Sequence, residues 1–297
     1  MSKSHYIGRF APSPTGPLHF GSLVAALGSY LDARARGGLW LVRMEDLDPP
    51  REMPDAADDI LRTLEAFALL HDGEVMFQSQ RHAVYQAALD QLIEQDLTYP
   101  CGCTRREIRE AGIRGGIYPG TCRNGILPGR KERSVRLRTD ETMISFTDRL
   151  QGQINENLAE QTGDFILRRA DGLYAYQLAV VIDDAEQGIT DVVRGADLLD
   201  STARQIWLQR KLGLPTPHYL HLPIAVALDG VKLSKQTFAA PLYQHQPTPQ
   251  LAEAMRFLGH SVPTTLEQES PASFLQWAVD IWDTDLLPRT RTMEARQ

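Results

Sequence analysis

Cysteine is scarce in this sequence, three residues in 297, and Cys101, Cys103 and Cys122 all fall within 22 positions. That leaves no framework of disulfides spread over the chain, and in a reducing compartment such clustering points to a metal. No apolar run approaches the roughly 18 residues of a membrane span, and Met1-Ser2-Lys3-Ser4-His5 lacks an apolar signal region, so a cytoplasmic protein is the default expectation. Repeats and low-complexity tracts are absent, which sets aside repeat architectures. A basic excess is absent too. With 31 Lys and Arg against 38 Asp and Glu the net charge is −7, which argues against non-specific polyanion binding but not against all RNA contact.

What is present is the composition of an ordinary globular protein, long enough for one large domain with an insertion or two smaller ones. The chain is organised around the stretch Arg9 to Ser22. A short apolar run, Tyr6 to Phe10, feeds a Pro/Gly/Ser segment containing His19, and apolar periodicity begins at Leu23. That order reads as strand, tight loop, helix start. A helix N-terminus presents unpaired N–H groups and a partial positive charge, so it favours a phosphate. Gly16 and Gly21 permit close backbone approach, and three prolines hold the loop's shape. On composition alone the stretch is equally readable as an ordinary strand-to-helix turn.

The spacing of Leu23, Leu27, Tyr30 and Leu31 predicts a helix over about 21–36 ended by Gly37-Gly38, and Leu39 to Met44 then reads as a buried parallel strand. Glu45 sits at that strand's carboxyl end, the edge where open α/β sheets bind ligands. Amphipathic helices follow over Ala57–Ala68 and about Arg81–Leu92. At Tyr99 the character changes to a Gly- and Arg-rich block with strand-like pieces at Val135–Arg138 and Ile144–Phe146, interrupting the α/β pattern until about Asp164. Tyr174–Ile182 is helix or buried strand; periodicity does not decide. Thr190–Gly195 reads as a strand, with Asp200 or Ser201 as cap of a helix running to about Leu212. Asp229-Gly230 signals a hairpin-type turn ahead of Lys232-Leu233-Ser234-Lys235, and the remaining segment looks helical at Leu251–Leu258 and Phe274–Trp282. Basic residues concentrate between Arg105 and Arg138, where a polyanion partner or simply a solvated charged face is expected.

Cysteine thiolates at Cys-x-Cys spacing grip a soft tetrahedral ion, and Zn2+ is the usual occupant. No histidine lies between Cys101 and Cys122, so the fourth ligand is Tyr118, a carboxylate such as Glu107, or water. Two lysines and a hydroxyl in Lys232–Lys235 suit a polyphosphate whose charge builds during transfer.

His19-Phe20-Gly21-Ser22 and Lys232-Leu233-Ser234-Lys235-Gln236 resemble the HIGH and KMSKS signatures of class I aminoacyl-tRNA synthetases. The whole phrase Arg9 to Ser22 looks like the glutamyl branch, and the resemblance covers about Tyr6 to Phe238. Each signature departs at its last position, Ser22 standing for the second histidine and Gln236 for the final serine. Full-length glutamyl enzymes continue into a large helical anticodon-reading domain, for which the roughly sixty residues after the lysine loop are too few. The chain therefore resembles the short paralogues of that branch. Their activity is to activate glutamate with ATP, without tRNA, and to esterify it to the cyclopentenediol of queuosine at the wobble position of tRNA(Asp).

The resemblance implies a Rossmann-type parallel-sheet catalytic domain in two halves, 1–98 and 164–240, with an inserted zinc-bearing subdomain at 99–163. A short helical region at 241–297, with no anticodon-binding domain, completes the expected α/β protein. It favours Tyr118 as the fourth ligand beside Cys101, Cys103 and Cys122. It implies an ATP site at Pro12, Thr15, Gly16, His19, Gly21, Ser22, Lys232, Ser234 and Lys235, with Mg2+ accompanying the ATP and His19 and Lys235 catalytic. Glutamate, one cation and two anions, is then expected at Arg9, Phe10, Ala11, Pro12, Ser13, Glu45, Tyr176 and Arg194. Glu45 suits the ammonium, and guanidinium forks suit the carboxylates. A monomer is expected. Competing readings are charging of a tRNA 3′ end, a metabolite adenylyltransferase that uses no RNA, and a non-catalytic RNA-binding relative.

Overall fold

A computed structural model describes residues 6–111, 117–227 and 240–295. Strand β1 (Ile7–Phe10), helix α1 (Phe20–Arg34) and strand β2 (Leu39–Met44) form the opening unit, with β1 and β2 parallel from Ile7 beside Leu39 to Phe10 beside Val42. Gly38 makes the return tight: a Cβ there would lie 2.4 Å from the Tyr6 carbonyl oxygen. Helix α2 (Ala56–Ala66) leads to β3 (Met76–Phe77), parallel to β2, and then to α3 (His82–Glu94).

The middle block holds β4 (Thr98–Cys101), α4 (Arg105–Glu110), β5 (Ser134–Leu137), β6 (Met143–Asp148), β7 (Gly152–Asn157), α5 (Leu158–Gln161) and β8 (Phe165–Arg168). Next come α6 (Tyr176–Glu186), β9 (Asp191–Gly195), α7 (Leu199–Leu212), β10 (His218–Leu222) and β11 (Ile224–Val226). After the undescribed 228–239 lie α8 (Pro247–Phe257), α9 (Pro271–Asp280) and β12 (Thr292–Glu294). The turn expected at Asp229-Gly230 falls outside the described residues.

Strands β3, β2 and β1 form one parallel run, and β9, β10 and β6 another, with β7 antiparallel at its edge. The two runs meet at β1 and β9, where the Thr190 amide donates to the Ile7 carbonyl (3.0 Å) and the Ile7 amide to Thr190 Oγ1 (2.9 Å). Strand order thus runs outward in both directions from β1 and β9, a switch point that opens a crevice at the strands' carboxyl ends. One buried cluster joins Leu23, Leu27 and Leu31 of α1 to Trp40, Ile60, Leu251, Met255 and Phe274; another joins Tyr85, Leu89 and Leu92 to Leu178, Ile206 and Trp207. Each buried leucine contributes about 1.5–3 kcal/mol.

Two features depart from the sequence reading, and a third settles a choice it left open. The stretch left open as helix or strand is helix α6, whose middle, Leu178–Val181 with Asp183 and Asp184, is buried on every side, so little amphipathic period shows in the sequence. Strand β8 continues an antiparallel sheet with β5 and β4 instead of resuming the parallel pattern at Asp164. Helix α7 is capped by neither Asp200 nor Ser201. A 3-10 turn, Ala196–Leu198, runs straight into it, and the Leu199 amide already donates to the Ala196 carbonyl. Asp200 instead faces solvent beside Arg291 at 3.3 Å.

Candidate active site

The carboxyl ends of β1, β2, β9 and β10 and the first turn of α1 enclose a cavity of about 230 Å³ at the switch point. Arg9 and Phe10 come from β1, Arg194 and Gly195 from β9, Glu45 from the end of β2 and Tyr176 from the start of α6. A wider cavity of about 800 Å³ continues from it past Pro12, Ser13 and Thr15 toward Asp48, Arg51 and Arg169. The two share His19, Ser22, Glu45 and Tyr176.

His19 is the N-cap of α1. Its Nδ1 accepts from the Ser22 amide (3.4 Å), and Ser22 Oγ accepts from the His19 amide (3.5 Å), a reciprocal capping box. An accepting Nδ1 leaves the ring hydrogen on Nε2, a donor at a helix N-terminus. The loop is bonded to the next strand end, the Glu45 amide donating to the Pro12 carbonyl at 2.9 Å. Gly16 lines neither cavity; its φ of 136° serves the bend before the helix.

Behind the cavity lies a buried ion network. Arg9 donates from Nε and Nη2 to the two oxygens of Asp184 (3.0 and 3.3 Å). Arg43, fully buried, donates to Asp184 (2.8 Å) and to Gln187 (2.6 Å), and its Nη2 lies 3.6 Å from Glu45. Burial would raise the Asp184 carboxyl, but Arg9 and Arg43 outweigh it and hold the group below the usual carboxylate range. Glu45 has the opposite outcome. Burial pushes it up to about 7 against the pull of Arg43 and Arg9, and the neighbouring aspartates add to the rise. Burial likewise keeps Tyr176 a neutral phenol, and Arg194 Nη1 lies 3.4 Å from its oxygen.

At the end of β4 a second constellation forms. Tyr118 Oη lies 3.3 Å from Cys101 Sγ and 3.5 Å from Cys103 Sγ, Cys103 and Cys122 sulfurs are 3.6 Å apart, and the three sulfurs lie within 4.8 Å of one another. A tetrahedral zinc with bonds of about 2.3 Å to sulfur and about 2.0 Å to oxygen has edges of roughly 3.5–3.8 Å, and the separations of 3.3, 3.5 and 3.6 Å come close to that. Glu107 is engaged elsewhere: it closes the capping box of α4 on Thr104 (2.7 Å) and pairs with Arg130 (2.8 Å). Arg136 lies 3.7 Å over the Tyr118 ring. Burial alone would raise the Cys101 thiol, but hydrogen bonds from Tyr118 and Arg136 bring it down to about 7, which favours a thiolate ligand.

Residues 7–261 match the pattern of tRNA synthetases class I (E and Q), catalytic domain. A glutamyl-Q tRNA(Asp) synthetase of Dechloromonas aromatica is 57% identical over 291 residues, spanning 96% of this chain and 97% of its own. One of Ectopseudomonas mendocina is 54% identical over 98% of both chains. The chain belongs to the glutamyl-Q tRNA(Asp) synthetase family. A glutamate-tRNA synthetase from Elizabethkingia anophelis superposes with a TM-score of 0.80 at 25% identity, over 97% of this chain and 67% of that one. The fold is thus the α/β catalytic fold of class I synthetases with its parallel sheet.

For a member of the glutamyl-Q family, the sequence finds the polar and charged side chains of the smaller cavity except Asp197, and few of the apolar ones. Arg9, Phe10, Ala11, His19, Gly21 and Ser22 meet Glu45, Tyr176 and Arg194 around the smaller cavity, while Pro12, Ser13 and Thr15 line the larger. Lys232, Ser234 and Lys235 lie outside the described residues, though β11 ends at Val226 on one side and Pro241 bridges to His19 on the other. The sequence reading missed Asp197, which lines both cavities, and Arg43, Asp184, Asp148 and His221, which contact Arg9, Glu45, Arg194 or one another. The signals were a charge inside an otherwise apolar strand (Arg43) and a carboxylate pair inside an apolar helix (Asp183 and Asp184). Among the described residues no helix is long and apolar enough to cross a membrane.

Proposed function

We propose that this chain activates L-glutamate with ATP to glutamyl-adenylate without tRNA, then transfers the glutamyl group to the cyclopentenediol of queuosine at the wobble position of tRNA(Asp). The observation that carries this reading is near full-length identity above 50% to glutamyl-Q tRNA(Asp) synthetases, joined to a cavity at the switch point that brings Glu45 and Asp197 together with the guanidiniums of Arg9 and Arg194.

In this reading Glu45 takes the glutamate ammonium. Arg9 and Arg194 take its carboxylates, helped by Ser13 and the Tyr176 hydroxyl. A guanidinium disfavours glutamine, whose amide leaves the buried charge unpaired. The substrate carboxylate attacks the α-phosphorus of ATP, forming a carboxyl–phosphate bond as the bond to pyrophosphate breaks. His19 Nε2–H and the amides at Gly21 face the charge that develops on the α-phosphate, and Lys235 neutralises the leaving group, where a Mg2+ accompanying ATP would supply further positive charge. The queuosine hydroxyl then attacks the acyl carbon and AMP departs. The protein supplies positioning and charge, since no side-chain nucleophile is needed.

Cys101, Cys103, Tyr118 and Cys122 would hold one Zn2+, a structural clip that ties β4 to the segment around Tyr118. Residues 1–98 and 164–240 then form the halves of the nucleotide-binding domain, 99–163 the inserted zinc-bearing part, and 241–297 a helical region. Bonds from β8 to β5 and from β10 to β6 stitch the inserted part to its flanks. We read the protein as cytoplasmic and monomeric.

ATP–pyrophosphate exchange is expected with glutamate alone and not with glutamine or aspartate. Labelled glutamate should reach tRNA(Asp) carrying queuosine and not the same tRNA lacking it. Exchange that requires tRNA, or label on tRNA(Glu), overturns the reading.

A further inference from the structure

Arg194 is held from behind by a chain of side chains running crosswise over three adjacent strands. In the parallel register of β10 with β9, His221 stands directly beside Arg194, and β10 pairs on its other side with β6, which ends at Asp148. Asp148 Oδ2 lies 2.6 Å from His221 Nδ1, and Arg194 Nε donates to His221 Nε2 at 3.0 Å. An arginine in a protein does not give up its proton, so Nε2 must be the acceptor. The imidazole is therefore neutral and its hydrogen sits on Nδ1, donated to Asp148. Asp148 is fixed in turn, its other oxygen accepting from the Leu150 and Gln151 amides at 3.0 and 2.8 Å. Beside that acceptor, Thr202 Oγ1 of α7 accepts from Arg194 Nη2 at 2.9 Å and lies 3.3 Å from His221 Nε2. Asp148, His221 and Thr202 are at most 1% exposed.

This arrangement takes up Nε and Nη2 of Arg194 and leaves Nη1 on the cavity side, beside Tyr176. It also places a carboxylate one ring away from the guanidinium, so the charge of Arg194 is balanced inside the protein while its Nη1 is aimed at the cavity. The aim would be lost if the acceptor were removed, because a guanidinium on a flexible stem settles on whichever acceptors are near.

We propose that His221, oriented by Asp148, is a positioning residue that aims Arg194 at a carboxylate of the amino-acid substrate and so sets selectivity for glutamate. The inference rests on the glutamate-binding role of Arg194 proposed above, and Arg194→Ala tests that role separately.

Two substitutions divide the histidine's bonds. His221→Asn can still donate to Asp148 in the place of Nδ1 but offers Arg194 no acceptor. His221→Gln places an amide oxygen where Nε2 lies and gives up the bond to Asp148. In glutamate-dependent ATP–pyrophosphate exchange, His221→Asn is expected to raise KM for glutamate roughly ten- to a hundredfold, the effect of one lost bond to a charged group. Its kcat and KM for ATP should stay within about threefold, and its preference for glutamate over glutamine should shrink. His221→Gln should keep KM for glutamate near that of the parent. A purely structural role would instead lower kcat and melting temperature in both variants without splitting them.

Thr202→Val removes the acceptor that stands next to His221 on the same edge of the guanidinium and is expected to raise KM for glutamate in the same direction, so the inference stays testable even if the histidine variants do not fold. Unchanged KM in His221→Asn or, failing that protein, in Thr202→Val overturns the inference. If Arg194→Ala leaves KM for glutamate unchanged, the glutamate-binding reading of Arg194 falls instead.

Discussion

Glu45 shows how one residue can trade stability against binding. Its carboxyl sits at about 7 in the folded protein because burial outweighs Arg43 and Arg9. In the unfolded chain it returns to about 4.3. Between those values the folded state holds a proton the unfolded state has released, so the contribution of Glu45 to stability falls as pH rises through that window. His221 works the other way. Burial pushes it down to about 4, so the unfolded chain binds the extra proton and stability rises with pH up to about 6.5. The difference between parent and Glu45→Gln isolates the first effect: the variant should gain melting temperature relative to the parent as pH rises from about 5 to about 8. The same titration predicts that KM for glutamate rises as pH falls below about 7 in the parent, since a protonated Glu45 cannot pair an ammonium. A flat KM over that range removes Glu45 from ammonium binding. Tyr118 gives a second test at this scale. Tyr118→Phe keeps the ring under Arg136 but deletes the phenol oxygen, and zinc affinity measured by chelator competition should fall by roughly tenfold or more. Tyr118 lines neither cavity, so glutamate-dependent exchange should persist in the zinc-loaded variant.

Among the elements, α1 and the β11–β12 pair matter most to the site. Helix α1 begins at His19 because the capping box is built from His19 and Ser22, which explains how a serine serves at the position where the signature has a second histidine. Strand β12 pairs in parallel with β11, from Ile224 beside Thr292 to Val226 beside Glu294. The Gln151 side chain fastens the approach to it, bonding the carbonyls of His221 (2.9 Å) and Thr290 (3.2 Å). Strand β11 is the last described element before the segment that carries Lys232 and Lys235. Truncation after Arg289 strips β11 of this partner, and exchange activity is expected to fall about tenfold or more, the scale of a misplaced transition-state charge. Full exchange activity in the truncated chain would separate β12 from catalysis.

Over the whole molecule the net charge is −7, so binding to a tRNA must rely on local basic surface. The basic middle third divides into two groups. Arg123 bonds Asp164 (2.6 Å), Arg130 pairs with Glu107 (2.8 Å), and Arg136 is buried against Tyr118. Arg105, Arg109, Lys131 and Arg133 of the same stretch are exposed. Reversing two of the exposed charges, Lys131→Glu with Arg133→Glu, should weaken transfer to tRNA by about tenfold or more and reduce its salt dependence, while glutamate-dependent exchange stays unchanged. Equal transfer in parent and variant would put the RNA on another face.

The sequence by itself determined whatever is encoded between near neighbours. Strand, loop and helix start from Arg9 to Ser22, the terminating glycines of α1 and the strand at Leu39–Met44 are set within a few residues, the cysteine cluster within 22, and their chemistry is readable from spacing. Tertiary structure alone decided the pairings across long distance. Arg9 meets Asp184 from 175 residues away, and His221 meets Asp148 from 73. No local period records which strands lie side by side, so a buried charge in an apolar run remains unexplained until its partner strand is known. For that reason the cavity wall was legible at Arg9, His19 and Glu45. The side chains that aim and balance it, Arg43, Asp184, His221 and Asp148, came only with the order of the sheet.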